Sequence, residues 1–405
     1  MSWRKVAFGE LASVKHGYAF KGKYFSDSGK YLLLTPGNCT ESGGLKLKGD
    51  REKFYIGEFP NEFILNQGDL IVVMTDLVQE APILGGAFLI PQDDYFLHNQ
   101  RLGLVSIKDE NILYKKFFYY VLNSPYYRSQ IRASSTGTTV KHTAPERIYR
   151  CSIALPSHNI QLKIANILSA YDDLIENNRR RIQLLERSLH LLYKEWLVHL
   201  RFPSHEHSKI VDGIPEGWGK AALKELAIVN QSSINSSFQG QIEYIDISSV
   251  TTNSINQTTI LNFEDAPSRA RRIVKHGDII WSCVRPNRES YAVIWNPPDN
   301  LIVSTGFAVI TPKSVPASFL FYAITTPEFV GYLANNARGA AYPAVTASDF
   351  ENAQITFPQD SLLNLFDEIA TPVFTQINTL RQQSKKLQQA RDLLLPKLMS
   401  GAIGV

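Results

Sequence analysis

The sequence predicts an α+β fold: two mixed α/β domains separated by two long helices that form an antiparallel coiled coil, with a pseudo-twofold internal repeat. Three observations predict it. The stretch WRKVAFGELA at residues 3–12 returns as WGKAALKELA at 218–227, six of ten positions identical and 215 residues on. Both copies continue through the same succession of apolar runs and turns. Each copy then reaches a proline after which the apolar period changes to 3.5 residues, the spacing of a coiled-coil seam.

The elements follow in matched pairs. YLLLTPGN (31–38) and EYIDISSV (243–250) are rich in Val, Ile, Leu and Tyr and read as strands. GDLIVVMTD (68–76) and GDIIWSCVR (277–285) are apolar runs entered from a Gly-Asp turn. RLGLVSI (101–107) and TGFAVIT (305–311) follow, then short aromatic helices around YKKFFYYVLNS (114–124) and ASFLFYAITT (317–326). Glycine-containing loops come next, SSTGTTVKHT (134–143) and NNARGAAYPAV (335–345), and then the closing strands CSIALP (151–156) and AQITFP (353–358). From those prolines onward the copies are offset by 202 residues.

Beyond the first proline, Ile164, Leu168, Tyr171, Ile175, Asn178, Ile182, Leu185, Leu189, Leu192 and Trp196 step by four and three without a break. The second copy repeats the steps at Phe366, Ala370, Val373, Ile377, Leu380, Ser384, Leu387, Arg391, Leu394 and Leu398. Two such seams in one chain are expected to pair with each other, and a pseudo-twofold axis makes them antiparallel with a globular domain at each end. Asn178, Ser384 and Arg391 are polar seam positions of the kind that set register at a cost in stability. Pro396 is expected to kink or end the second helix. The expected domains are 1–156, a central helix 157–201, a linker 202–217, a second domain 218–358 and a C-terminal helix 359–405.

Composition bounds the function. The chain has 405 residues, 44% hydrophobic and 20% charged, with a formal charge of +4 that permits a nucleic-acid partner without demanding one. Cys39, Cys151 and Cys283 lack CxxC spacing and read as reduced thiols of a cytoplasmic protein. No apolar run of membrane-spanning length and no secretory signal is expected. No GxxxxGK[ST] loop is present. NPPD at 296–299 has an aspartate where the Asn-Pro-Pro-aromatic motif of base-amino methyltransferases has its stacking ring, and reads as a turn. No lysine has an acid two residues before it, as a metal-dependent nuclease core requires. Asp172 and Asp173 are consecutive on a helix and diverge by about 100°. HEH (205–207) reads as solvated linker. No catalytic and no metal-binding residue is therefore expected.

The polar loops carry groups that suit DNA. In the first copy these are Lys21, Lys23 and Tyr24, then Asn99, Gln100 and Arg101, then Thr138, Thr139, Lys141 and His142, with His98 beside them. In the second they are Arg269, Arg271 and Arg272, then Arg285, Asn287 and Arg288, then Arg338 and Tyr342. Arginine pairs bidentately with guanine and Asn or Gln with adenine; Lys, Thr and backbone N–H groups beside glycine suit phosphates. The sets are read as lying at matching places in the two copies and differ in detail, so the two domains are expected to read different sequences.

Four stretches resemble the DNA-specificity subunits of type I restriction–modification systems: LPSHNIQLKIANILSAYDDLIENNRRRIQLLERS (155–188), LYKEWLVHLRFP (192–203), IPEGW (214–218) and LLLPKLMSGAI (393–403). The resemblance spans the whole chain. It implies two target-recognition domains, at about 1–156 and 218–358, and conserved helices at about 157–200 and 359–402. It implies a noncatalytic subunit that binds double-stranded DNA and two methyltransferase subunits, which bring S-adenosylmethionine and modify adenine. Two restriction subunits with ATP- and Mg-dependent translocation and cleavage can join. The helices are then both ruler and docking surface, with Arg179, Arg180, Arg187, Lys385 and Lys386 on their outer faces. The rival readings are a coiled-coil scaffold with protein-binding ends and a self-sufficient DNA methyltransferase or nuclease.

Overall fold

A computed structural model describes residues 3–211, 213–235 and 237–405, and divides the chain into two compact units. The first comprises residues 1–177 and 384–405, the second 178–383. The boundary falls inside both long helices, so each unit takes one half of each, whereas the domain limits expected from the sequence fall at the helix ends.

The first unit opens with the strand Arg4–Ala7, paired antiparallel with Ser152–Leu155. A single helical turn, Phe8–Leu11, follows, and Glu10 reaches back to the Ala7 N–H at 3.1 Å. An antiparallel four-stranded sheet comes next, in the order Ala12–His16, Leu102–Ile107, Leu70–Val73, Ala87–Leu89. One face of Leu70–Val73 packs Leu70 and Val72 against the helices Lys115–Leu122 and Pro125–Ser134; the other packs Ile71 and Val73 against a second sheet. That strand is buried throughout, which is why it reads as a continuous apolar run rather than an alternating one.

The second unit repeats this plan. Gly219–Ala222 pairs with Gln354–Phe357, and Glu225 reaches the Ala222 N–H at 3.2 Å. Its four-stranded sheet runs Ala227–Val229, Phe307–Pro312, Ile279–Ser282, Tyr291–Val293. The repeat extends to single hydrogen bonds. Ser124 caps the helix Pro125–Ser134 and Thr326 caps Pro327–Asn336, and the hairpin bridges Thr136–His142 and Arg338–Ala344 coincide at the 202 offset. The differences in length lie earlier, because the turn glycines Gly68 and Gly277 are 209 apart.

The second sheets differ at their edges. In both units a central parallel pair is flanked by an antiparallel strand: Tyr31–Leu33 beside Phe96–Leu97 with Phe54–Tyr55, and Gln241–Ile245 beside Leu301–Ser304 with Thr259–Asn262. The first unit adds Phe25–Ser26 at one edge. The second adds Ala270–Ile273 at the other, where the first has only the bridge Ile64–Leu97.

Each unit holds two helix halves antiparallel. The central helix is His158–Tyr193 and the C-terminal helix Asp360–Met399. In the first unit Ile164, Ala165 and Leu168 share a core with Leu395 and Leu398, while Asp172 meets Arg391 at 2.6 Å. In the second, Glu186 meets Arg381 at 2.6 Å, and Leu189 and Tyr193 share a core with Leu363, Phe366, Ala370 and Phe374. Every expected seam position is buried or half-buried. Toward the domain cores the apolar stripe widens beyond the seam, taking in Ala165, Tyr193, Phe374 and Leu395, because there each helix packs on a domain as well as on its partner. Arg391, one of the polar seam positions, has a side chain only 14% exposed and lies between Asp172 and Asp392, with Asp172 also accepting from the Tyr120 hydroxyl at 2.5 Å.

Two expectations are corrected here. Pro396 does not end the C-terminal helix, which runs on to Met399: Pro396 is exposed, and the buried Leu395 and Leu398 on either side hold the last turn onto the core. The central helix changes to a π-helical segment, Lys194–Val198, so the seam residue Trp196 lies outside regular α geometry, edge-on to Phe366 at 6.4 Å. The linker carries a short turn at His205–His207 and the hairpin Ile210–Val211 with Ile214–Pro215; Asp212 lies outside the described residues. No described helix is long and apolar enough to cross a membrane.

Candidate nucleic-acid interface

In the first unit residues 134–143 form a tight hairpin. Thr136 and His142 exchange backbone hydrogen bonds of 2.9 Å, and the chain turns at Gly137, whose φ is +94°. A Cβ there would sit 2.0 Å from the Val140 carbonyl oxygen, so only glycine closes this turn. Thr138 and Thr139 are exposed at the tip. Lys141 and His142 pair with Asp76 and Thr75, and His142 Nδ1 lies 3.0 Å from Thr75 Oγ1. Met74, just before them, donates its N–H to the Arg101 carbonyl at 3.0 Å and accepts from the Thr143 N–H at 2.9 Å. One strand end thus joins Arg101 to the hairpin.

Tyr18 pairs with Asn99 and accepts from the Gln100 N–H at 3.0 Å, bringing up the segment that leads to Lys21. Lys21, Lys23 and Tyr24 are exposed around the turn Gly22–Tyr24, with Lys23 Nζ 4.8 Å above the Tyr24 ring. Asn99 turns back on its own loop, accepting from the Arg101 N–H at 3.0 Å. His98 is not a DNA ligand. It is 1% exposed, its Nε2 lies 2.9 Å from the Leu102 carbonyl, and burial lowers its pKa to about 4. It is a neutral brace under the loop.

In the second unit the matching hairpin gathers Arg285, Arg338 and Tyr342. The Arg285 guanidinium stacks 4.8 Å over the Tyr342 ring and donates to the Ala341 carbonyl at 3.1 Å. Arg285 and Glu289 both have left-handed φ, +51° and +53°, and bracket the turn Pro286–Arg288 that displays Asn287 and Arg288 to solvent. Non-glycine residues hold that conformation only where their surroundings enforce it, which is common in binding loops. Arg338 reaches Asp349 at 3.5 Å, yet its side chain remains 76% exposed.

The three arginines at and before the strand Ala270–Ile273 make contacts within their own unit. Arg269 is committed to Asp246 at 2.8 Å and to the Tyr244 hydroxyl at 3.3 Å. Arg271 lies 4.7 Å over the Phe263 ring. Arg272 is half-buried, bonded to Ser233 Oγ at 3.4 Å, and lies near enough to Cys283 to act against the burial that raises that thiol to about 11. All three cysteines are free, and burial raises Cys39 to about 12 and Cys151 to about 11, so none is a reactive thiolate near neutral pH.

The basic loops therefore do not lie at matching places, apart from the hairpins. Arg285 follows the strand residue that bridges Ala344, and so corresponds to Asp76, not to the Asn99–Arg101 loop. Asp76 is buried and accepts from the backbone N–H groups of Val78 and Ile83. Arg271 and Arg272 occupy an edge strand, with Arg269 just before it, that has no counterpart among the described residues of the first unit. Sequence reasoning passed over the exposed Leu77 and Val78, which follow Asp76, and Arg147, whose guanidinium donates to Thr136 Oγ1 at 2.7 Å. It also passed over Arg128, buried and donating to the carbonyls of Leu84, Glu41 and Pro82, which holds the longer loop of the first unit in place. Extending the 202 offset backward from the prolines brings Arg147 into view, opposite Asp349. Among the described residues no group of three or more His, Cys, Asp or Glu side chains is placed to hold a metal ion.

Comparison with known proteins bears on this geometry. A family model described as the type I restriction modification DNA specificity domain matches residues 1–187. The MjaIX specificity subunit of Methanocaldococcus jannaschii is 23% identical over 75% of this chain and 72% of its own length. The EcoBI specificity subunit of Escherichia coli is 21% identical over 99% of this chain and 86% of its own. Over these stretches the chain is similar to type I restriction–modification specificity subunits. A crystal structure of the type I system S subunit from M. genitalium has the same fold, with a TM-score of 0.59 at 17% identity, covering 98% of this chain and 96% of that one. The family model stops within the central helix; the internal repeat carries the same architecture into the second unit.

Proposed function

We propose that the chain reads a bipartite, asymmetric target in double-stranded DNA, one half-word per unit, and that it is noncatalytic. On this reading the paired helices fix the gap between half-words and hold two methyltransferase subunits. Those subunits bring S-adenosylmethionine, and restriction subunits that use ATP and Mg can join the complex. The observation that carries the proposal is the repeated hairpin. Its backbone register is the same in both units, while its side chains are Thr138, Thr139, Lys141 and His142 in one and Arg338 and Tyr342, stacked with Arg285, in the other. A common frame displaying unlike donors suits two different words.

The test is an exchange. Residues 218–358 are replaced by the matching domain of another specificity subunit, the complex is formed with the methyltransferase partner, and methylated sites are mapped across a genome. One half-word is expected to change while the other and the gap persist. A change in both half-words overturns independent reading. A complex that binds no duplex DNA at all returns the chain to a scaffold role.

A further inference from the structure

The two hairpins rest on short helices, Pro145–Tyr149 in the first unit and Ala347–Glu351 in the second. At the 202 offset Thr136 corresponds to Arg338, and Arg147 to Asp349. The same hairpin–helix contact is therefore made in both units with the partners exchanged. In the second unit the cation stands on the hairpin and the helix answers with a carboxylate, 3.5 Å apart. In the first the cation stands on the helix and the hairpin answers with a hydroxyl, 2.7 Å away.

Local helix chemistry accounts for Asp349 and not for Arg147. Asp349 is the third residue of its helix and closes a capping box, accepting from the Thr346 N–H and hydroxyl at 2.7 Å each. Arg147 holds the same third position in a helix whose cap residue, Ala144, has no side-chain oxygen. The helix has only five residues and Arg147 also stands in its last turn, so capping gives the side chain no partner there. Among the described residues no carboxylate lies within ion-pair distance of Arg147. Its one side-chain bond goes to the base of the displayed hairpin, which fixes one edge of the guanidinium and leaves its other donors open.

We propose that Arg147 contacts a DNA phosphate in the first unit, from the place at the hairpin base that Arg338 takes in the second. Each unit thus keeps one guanidinium at the base of its hairpin, supplied from the helix in one and from the hairpin in the other. The contact is with backbone and not with bases, since Arg147 sits at the root of the hairpin behind the tip residues Thr138 and Thr139. This inference rests on the DNA-reading function proposed above.

The test uses the full-length chain with its methyltransferase partner, a duplex carrying the selected target, and a scrambled duplex, with Kd measured across salt concentrations. Arg147→Ala is expected to weaken both duplexes by the same factor. The slope of log Kd against log salt should fall by about 0.9, so that the affinity lost between about 50 and 200 mM salt shrinks roughly 3.5-fold. Arg147→Lys should restore the slope, because it restores the charge. Thr136→Ala, which keeps the cation and removes its tether, should keep the slope and separates a phosphate contact from a structural one. An unchanged slope in Arg147→Ala, or a loss confined to the selected target, overturns the inference. If the wild-type complex binds neither duplex, it is the DNA reading that fails, before Arg147 is tested.

Discussion

The strands Leu70–Val73 and Ile279–Ser282 occupy the same place in the two units and are equally buried, yet they anchor their cores differently. Val72 lies across from Gly103 in one, and Trp281 across from Ala308 in the other. The Trp281 indole is fully buried and donates to the Ile324 carbonyl at 3.0 Å. A few residues farther on, the same strands lead to Asp76 and Arg285, one buried and holding its own loop, the other stacked at the displayed hairpin. The backbone frame is common to both units, the packing within it is interchangeable, and the chemistry at its rim is free to diverge.

The largest effect expected from breaking this comparison is in the core. Trp281→Ala should destabilise the second unit by about 3–5 kcal/mol, since it opens a cavity and strips the Ile324 carbonyl of its donor. Val72→Ala, at the matching position, should cost only about 2 kcal/mol for the smaller buried volume. Urea unfolding of the full chain reads both; equal costs would mean that the two cores do not depend on different anchors.

At the rim the expected effect is smaller and falls on DNA. Arg285→Ala should weaken binding of the second half-word by about 1–3 kcal/mol with relaxed preference at one position, and leave the first half-word untouched. Selection from a randomised duplex library shows both at once. Equal loss on every sequence would make Arg285 a phosphate contact and remove it from the reading set.

The smallest effect sharpens the comparison by pH. The bonds from Thr346, with Arg338 nearby, hold the Asp349 carboxyl below the usual carboxylate range. A carboxyl depressed in the folded state stabilises above its unfolded pKa, and that stability is lost as pH falls through the folded value. Asp349→Ala should therefore cost about 1 kcal/mol near pH 7, and the difference from wild type should fade in acid, below about pH 4. The first unit has Arg147 at this place, so Arg147→Ala should show no such acid-dependent difference. Thermal melts across pH decide it.

Much of the frame was legible from residues alone. The doubled opening, the Gly-Asp turns before buried strands, the hairpin glycines and the heptad seam all announce themselves through local conformational demands or through period. The site was legible only in part. Arg285, Arg338 and Tyr342 were expected on chemical grounds and do converge. Arg269 was expected on the same grounds and pairs with Asp246, because a partner brought up from another part of the sheet has no signature along the chain. His98 reads as a loop histidine in sequence and is a buried brace in space. Pro396 obeys its local rule only until the packing of Leu395 and Leu398 outweighs it.

What the amino-acid order determined by itself is therefore what depends on near neighbours: which segments are strands and helices, that the plan occurs twice, and which faces of the long helices seek a partner. What only the tertiary structure decided is which polar residues stand opposite one another: Arg147 on Thr136, Arg338 on Asp349, Asp172 under Arg391. Backbone conformation and apolar period are set over a few residues, whereas charge pairing and burial are set by segments tens to hundreds of residues apart. The extra edge strand Ala270–Ile273 in one sheet carries two arginines, Arg271 and Arg272, to a place with no counterpart among the described residues of the other.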